Sequence, residues 1–201
     1  KLGFRTSMCT NASALARKGH RYLHLLDVLL CSLDGFGKTH DRMRGLDGLF
    51  DRVVAGIGKA TARTSLDTKI WATVHRRNLD ELEQLAVLAR ELGAGIEFFP
   101  VSPIAGYNNP VVPSREELRV AFTMIKRLKA EGLPIRNPDR VLNIMKDGAR
   151  FKCTFGRIAI HVDHRGRVYS CEDPAGTPQH MWGDVTGFRP MECYRSREYR
   201  E

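Results

Sequence analysis

The chain has 201 residues, 42% of them hydrophobic and 27% charged, which is enough apolar material for a buried core and excludes a disordered tail. Lys and Arg number 32 against 23 Asp and Glu, a formal charge of +9, yet the basic residues are dispersed and form no block, so the charge suits a soluble enzyme better than a nucleic-acid or membrane-surface binder. The richest apolar run, residues 23–33, is interrupted by His24 and Asp27 and is too short to cross a membrane; no secretion signal opens the chain, and five cysteines in a chain of this size suit a reducing cytoplasm rather than a disulfide framework.

In chain order, residues 4–10 have the pattern of a strand and residues 12–25 that of a helix with Asn11 as its cap. Residues 28–33, Val-Leu-Leu-Cys-Ser-Leu, form a nearly continuous apolar run, as expected of a strand buried on both faces. Leu49, Phe50, Val53, Val54 and Ile57 repeat at helical spacing, and residues 70–74 predict the next strand. Asn78-Leu79-Asp80-Glu81 has the form of a capping box ahead of a helix carrying Leu82, Leu85, Ala86, Ala89 and Leu92, which Gly93 and Gly95 stop. Residues 96–101 predict a strand, and Ser114-Arg115-Glu116-Glu117 is a second capping box ahead of Leu118, Phe122, Ile125 and Leu128. Alternating strands and helices of this size imply a parallel sheet, either a partial barrel or a doubly wound sheet, with functional groups at the C-terminal strand ends.

The pattern changes after residue 136. Residues 138–147 predict one short helix, and residues 157–162 and 167–170 flank Asp163-His164-Arg165-Gly166 as the arms of a hairpin. The expected organisation is an α/β domain over residues 1–136 and a smaller β-hairpin module over residues 137–201. The chain lacks an initial Met, opens almost on a strand and stops where a helix would be beginning, at residues 196–201; both ends are expected to be cut.

Candidate chemistry collects at three places. At the end of the strand 28–33, Ser32 and Asp34 can face a ligand held over the sheet, with Thr10 and Asn11 at the same level on the strand before; each pair alone reads equally as a turn or a cap. His40, Asp41 and Arg44 follow. No nucleophile matches the His–Asp pair, which reads as loop or helix-entry residues, while Arg44 can hold a carboxylate. Cys153 and Cys171 bracket the hairpin with Gly166 between them, so its open end can bring two thiolates together for a soft metal or an iron–sulfur cluster. Further ligands would come from Cys193, another side chain or sequence outside this chain. Glu172, beside Cys171, is the candidate base, against a surface turn before Pro174. His161, His164 and His180 are too scattered for a zinc site.

In combination these features resemble the radical S-adenosylmethionine (SAM) enzymes that carry a SPASM or Twitch C-terminal extension. Met8-Cys9-Thr10-Asn11-Ala12 resembles the family's strand ending in Thr-Asn-Gly, with Ala12 in place of the Gly. Ser32-Leu33-Asp34-Gly35, then His40-Asp41 and Arg44-Gly45, resemble its Ser-x-Asp-Gly and His-Asp…Arg-Gly stretches. Cys153, Gly166 and Cys171 fit the Cys-x(9–15)-Gly-x(4)-Cys opening of the auxiliary module, and Trp182-Gly183-Asp184-Val185 its following Gly-Asn-Val/Ile. The defining Cys-x(3)-Cys-x(2)-Cys loop and the Gly-Gly-Glu stretch do not occur in these residues. The resemblance therefore implies that the chain starts near the third strand of a partial (β/α) barrel and ends inside the extension.

What the resemblance implies about function is specific. A reduced 4Fe–4S cluster would give one electron to SAM, and the resulting 5′-deoxyadenosyl radical would abstract hydrogen from a peptide, protein or small-molecule substrate, with flavodoxin or ferredoxin as electron donor. Ser32 would contact the SAM ribose or carboxylate, with Thr10, Asn11, Asp34 and Arg44 around the same mouth. Cys153 and Cys171, with Cys193 as a further candidate, would ligate an auxiliary iron–sulfur cluster, and Cys9 and Cys31 would be core. These 201 residues alone would be inactive. The competing expectations are an α/β-barrel enzyme with a zinc-stapled hairpin and a basic nucleic-acid-binding module. An aromatic content of 8% and scattered Arg argue against the latter.

Overall fold

The structure, a computed structural model, describes residues 3–63, 65–104, 109–148, 160–172 and 178–187. Strands β1 (Ser7–Thr10), β2 (Val28–Ser32), β3 (Asp67–Val74) and β4 (Gly95–Pro100) form a parallel sheet in that order. The register aligns Cys31 with Ile70 and Ile96, and Ser32 with Trp71 and Glu97. Adjacent rows point to opposite faces. Leu29, Cys31, Ile70, Ala72, Val74, Ile96 and Phe98 lie on one face and are buried, whereas Leu30, Ser32, Lys69, Trp71, Thr73, Glu97 and Phe99 lie on the other and are half-buried. β2 thus departs from the expectation of two covered faces. Its apolar run is continuous, but Val28, Leu30 and Ser32 belong to the half-exposed face.

Helices α3 (Leu49–Thr61) and α4 (Leu82–Glu91) pack on the buried face of the sheet. α3 contributes Leu49, Val53, Ile57 and Ala60, and α4 contributes Leu82, Leu85, Ala86 and Ala89. Each fully buried Leu, Ile or Val in this layer is worth about 1.5–3 kcal/mol of apolar transfer. α5 (Arg115–Ala130) opens on a complete capping box: Ser114 Oγ accepts from the Glu117 N–H at 3.2 Å, and Glu117 Oε2 accepts from the Ser114 N–H at 2.6 Å. Beyond α5, Asn137 acts as a surrogate strand residue along β4. Its fully buried amide accepts from the Phe98 N–H at 2.8 Å and donates to the Phe98 carbonyl at 3.0 Å.

The first helix is shorter than its periodicity suggests. α1 spans only Leu15–Lys18 and passes into two single 3-10 turns, Gly19–Arg21 and Leu23–Leu25. Ala12, at φ 55°, bends the chain before α1, and Gly19, a poor helix former, sits where α1 would have continued. α2 (Lys38–Arg44) is a helix where a loop was equally expected, and α6 (Asp139–Asp147) packs on α5.

The chain divides into two units, Lys1–Val101 with Pro110–Ala149, and Ser102–Asn109 with Arg150–Glu201. The first holds everything above, so α6, which follows the expected boundary at residue 136, packs with the sheet domain. In the second, β5 (His161–Val162), β6 (Arg167–Glu172) and β7 (Pro178–Asp184) form an antiparallel sheet in that order. The expected turn is present between β5 and β6. Asp163 accepts from the backbone N–H groups of Arg165 at 2.8 Å and Arg167 at 3.0 Å and from Arg167 Nε at 2.6 Å. Dehydration pushes the Asp163 carboxyl up, but these donors outweigh it and hold the group down at about 2. Gly166 takes the left-handed φ of 78° that the turn requires. Residues 157–159, part of the expected first arm, lie outside the described residues, and β7 had no expectation in the sequence.

Candidate functional site

The C-terminal ends of β2 and β3 carry the densest polar cluster among the described residues. Asp34 is at its centre and is 5% exposed. Its N–H donates to His40 Nδ1 at 3.1 Å. Its carbonyl accepts from His75 Nε2 at 2.9 Å and from Asn78 Nδ2 at 2.7 Å. Its carboxylate takes the Thr73 N–H on Oδ1 at 3.0 Å and Arg44 on Oδ2, with Nε at 2.7 Å and Nη2 closing an ion pair. Every polar atom of Asp34 is therefore engaged by protein. The Arg44 side chain is 35% exposed, so its outer part reaches solvent while Nε and Nη2 hold Asp34.

Two histidines frame this residue in fixed tautomers. His75 Nδ1 accepts from the Arg77 N–H at 3.2 Å, which leaves Nε2 to carry the proton it donates to Asp34. His40 Nδ1 likewise accepts, so its proton is on Nε2, a buried atom without a hydrogen-bond partner. Burial is the main cause that pushes both imidazoles below the ordinary histidine range, with Asp34 opposing, so both are held neutral. Asp41 turns away from its neighbour. Its carboxylate accepts from the N–H groups of Gly48 at 2.7 Å and Phe50 at 2.8 Å and caps the start of α3. The Phe50 N–H, ahead of the other donors, holds the Asp41 carboxyl below the usual carboxylate range. The His–Asp neighbours thus form no relay. One braces the end of β2 and the other starts a helix.

Ser32 stands apart from this network, on the half-exposed sheet face in the row of Trp71 and Glu97. The same face carries a tilted Trp71–Phe99 ring pair, centroids 5.3 Å apart, and Lys69, whose Nζ lies 3.1 Å from Glu97 and 3.7 Å from Asp67. Thr10 and Asn11 at the end of β1 serve the turn that follows. Thr10 Oγ1 accepts from the Ala12 N–H at 3.1 Å, and Asn11 Oδ1 from the Ser13 N–H at 3.2 Å and its hydroxyl at 2.9 Å. The structure thus brings Asp34 and Arg44 together just beyond the strand that Ser32 ends, and sets Thr10 and Asn11 at the end of the neighbouring strand. A cavity of about 610 Å³ beside α2, lined by Lys38, Asp41, Arg42, Asp47, Phe50 and Asp51 among others, takes in Asp41 but not Thr10, Asn11, Ser32, Asp34 or Arg44.

Cys31 is core, and burial pushes its thiol up to about 12, which makes it inert as a ligand at neutral pH. Cys9, expected in the core, is exposed, because β1 lies at the end of the sheet and Cys9 shares the half-exposed face with Leu30 and Lys69. Cys171 and Glu172 end β6, opposite Gln179 and Pro178. Cys153 and Cys193 lie outside the described residues. Among the described residues no group of three His, Cys, Asp or Glu side chains could hold a metal, and no helix is long and apolar enough to cross a membrane.

Sequence reasoning missed His75, Asn78, Glu81 and Asn137. The Asn78…Glu81 pattern was visible but has another use: α4 begins at Leu82 with Glu81 as its cap residue and no side-chain cap, and Asn78 turns inward to Asp34. Trp71 and Phe99 were also missed as face residues. The period-2 alternation of β3, Lys69-Ile70-Trp71-Ala72-Thr73-Val74, is the signal that marks them.

No family model matches the chain. It is 37% identical over 95 residues to the AdoMet-dependent heme synthase of Methanosarcina barkeri, a match covering 46% of this chain and 27% of that protein. It is 29% identical over 150 residues to the mycofactocin maturase MftC of Mycolicibacterium smegmatis, covering 70% of this chain and 37% of MftC. The matches thus span about a quarter to two-fifths of these curated relatives. Its fold is similar to that of Streptococcus suis SuiB, with a TM-score of 0.68 at 13% identity over 98% of this chain and 50% of SuiB. The crystal structure of SuiB bound to S-adenosylmethionine gives the same TM-score at 14% identity, over 98% of this chain and 49% of SuiB.

Proposed function

We propose that the chain is part of a radical SAM enzyme, one that cleaves SAM reductively to abstract hydrogen from its substrate. The observation that carries this reading is the 37% identity to an AdoMet-dependent enzyme over 95 residues. When bound, SAM on a reduced 4Fe–4S cluster supplies the one-electron chemistry; this chain supplies binding and orientation.

The residues at the end of β2 fit that task unequally. The Ser32 hydroxyl lies on the open face and is the group proposed to touch SAM. Asp34 and Arg44 satisfy each other, so their proposed part is to hold the mouth in shape, with the solvent-facing part of Arg44 available to an acidic ligand group. Thr10 and Asn11 would line the adjoining strand end. The first unit is proposed as a partial-barrel core and the second as an auxiliary-cluster module, with Cys153 and Cys171 as thiolate ligands, Cys193 as a further one, and Glu172 as a base beside them. One relative is named for maturing mycofactocin and another for making heme, so the substrate is proposed as a peptide, a protein or a small molecule, with flavodoxin or ferredoxin as electron donor and the cytoplasm as location.

The test uses the full-length protein, reconstituted anaerobically with iron and sulfide and incubated with SAM and dithionite. Formation of 5′-deoxyadenosine is expected, and its absence from a cluster-loaded protein overturns the reading. Cys153→Ala with Cys171→Ala should lower the bound iron; unchanged iron content would remove the auxiliary assignment while leaving the SAM chemistry in place.

A further inference from the structure

The loop between β3 and α4 makes an unusual set of long-range bonds. Asn78, 0% exposed, donates from Nδ2 to the carbonyls of Asp34 at 2.7 Å and Thr73 at 2.8 Å, while Oδ1 accepts from the His75 N–H at 2.9 Å. His75 donates to the same Asp34 carbonyl at 2.9 Å. Glu81 reaches across to the next loop, where Oε2 accepts from the Phe36 N–H at 2.8 Å and Oε1 from the Thr39 hydroxyl at 2.6 Å. These three residues lie 41 to 45 positions from most of the partners they hold in the β2–α2 loop. None of them gives α4 a side-chain cap, the use that their spacing would ordinarily serve. Their hydrogen bonds go instead to the turn that carries Ser32 at its head. Gly35 is part of the same fit, since a Cβ there would lie 2.7 Å from Thr39 Cγ2 and 3.1 Å from Glu81 Oε2.

We infer that Asn78, His75 and Glu81 are positioning residues, a latch from one strand–helix unit that fixes the ligand-facing end of β2 in the unit before it. The inference rests on the SAM reading given above. The latch touches no ligand atom. It acts by fixing residues 32–36, so that Ser32 and the backbone beside it are preorganised before binding, and a site held within a few tenths of an ångström loses affinity when its supporting bonds are removed.

Glu81 is the residue to test, because it is half-buried and its removal leaves the core intact. In the full-length, cluster-loaded protein, Glu81→Ala should weaken SAM binding about tenfold by calorimetry, the scale of two lost hydrogen bonds, while the melting temperature falls by a few degrees at most. Glu81→Gln should restore binding: its amide oxygen accepts from Phe36 and its NH₂ donates to the Thr39 hydroxyl, which turns to accept. Thr39→Val, which removes one of the two bonds, should fall between them and carries the same comparison if Glu81→Ala does not fold. SAM affinity unchanged in folded Glu81→Ala, or Glu81→Gln as weak as Glu81→Ala, overturns the latch alone. A wild-type protein that binds no SAM overturns the functional reading and the latch with it.

Discussion

Gly35→Ala is the sharpest probe of how the β2 turn is packed. The added methyl would meet Thr39 Cγ2 at 2.7 Å and Thr39 Cβ at 2.9 Å, both closer than a Cβ tolerates, and Glu81 Oε2 at a tight 3.1 Å. Thr39 cannot swing aside freely. Its hydroxyl is bonded to Glu81 at 2.6 Å, and its N–H donates to the Phe36 carbonyl at 3.1 Å in the first turn of α2. Overpacking of this kind costs about 1–3 kcal/mol, and losing the Thr39–Glu81 bond adds about 1 kcal/mol. Replacing glycine stiffens the unfolded chain and returns about 0.4–1 kcal/mol. The net expectation is a loss of about 1–3.6 kcal/mol, or roughly 2–14 °C in Tm for a chain of this size. Denaturant titration followed by circular dichroism measures it. Gly35→Ala with Thr39→Ser keeps the hydroxyl for Glu81 but deletes Cγ2, and should recover about half of the loss. A Gly35→Ala protein within about 0.3 kcal/mol of wild type, or a double variant no better than the single one, would refute the packing reasoning, since independent sites add to about that precision.

Three further outcomes are expected. A double-mutant cycle of Asp34→Asn and Arg44→Ala should give a coupling of about 1–2 kcal/mol in denaturant titrations, below the range for a fully buried pair because Arg44 is 35% exposed; a coupling near zero would mean the ion pair is incidental. Asp41 is held below its ordinary range by helix N–H donors, so its contribution is present at neutral pH and lost as pH falls through the folded-state value. The stability gap between wild type and Asp41→Asn should accordingly narrow in titrations taken from neutral pH to below roughly pH 4. Ala12→Gly should be close to neutral in the same denaturant assay: relief of a left-handed alanine at φ 55° returns about 1–2 kcal/mol, against about 0.8 kcal/mol for the buried methyl and about 0.4–1 kcal/mol for a freer unfolded chain. A loss above about 1.2 kcal/mol, the sum of the methyl and unfolded-chain costs with no relief to offset them, would show that the turn is not strained there.

Most of the α/β framework is legible because single-face burial writes a period into the sequence. Leu82, Leu85, Ala86 and Ala89 mark α4, and Ser114 with Glu117 marks the start of α5, since both signals arise within a few residues of chain. Helix 12–25 was misread for a local reason of the opposite kind: Gly19 and a left-handed Ala12 break a run whose apolar spacing continues past them. The strand 28–33 was assigned two buried faces because Val28 and Leu30 are as apolar as Leu29 and Cys31. Residue type does not say what covers a face, and only the rows shared with Lys69, Trp71 and Glu97 show that this one is open.

The candidate site was legible as a set of neighbours but not as a set of bonds. Ser32, Asp34 and Arg44 are close in sequence and close in space, so their common address at the end of β2 follows from strand–helix periodicity. Which of their atoms are free depends on partners about 40 residues away, which no local pattern carries. Asn78 makes the point. Its spacing to Glu81 is that of a capping box, and a cap contributes about 1 kcal/mol. Inside the fold the same fully buried amide instead donates to the carbonyls of Asp34, which His75 also reaches, and of Thr73, and leaving buried polar groups such as its own unpaired costs about 1–3 kcal/mol each. The larger penalty wins, and the helix starts without a side-chain cap. The same comparison separates the two acidic residues that the motif presents. Asp41 is used at the start of α3 and Asp34 by Arg44 and Thr73, so both carboxylates that the motif presents are engaged by protein, whereas Ser32 stands outside this network on the half-exposed face.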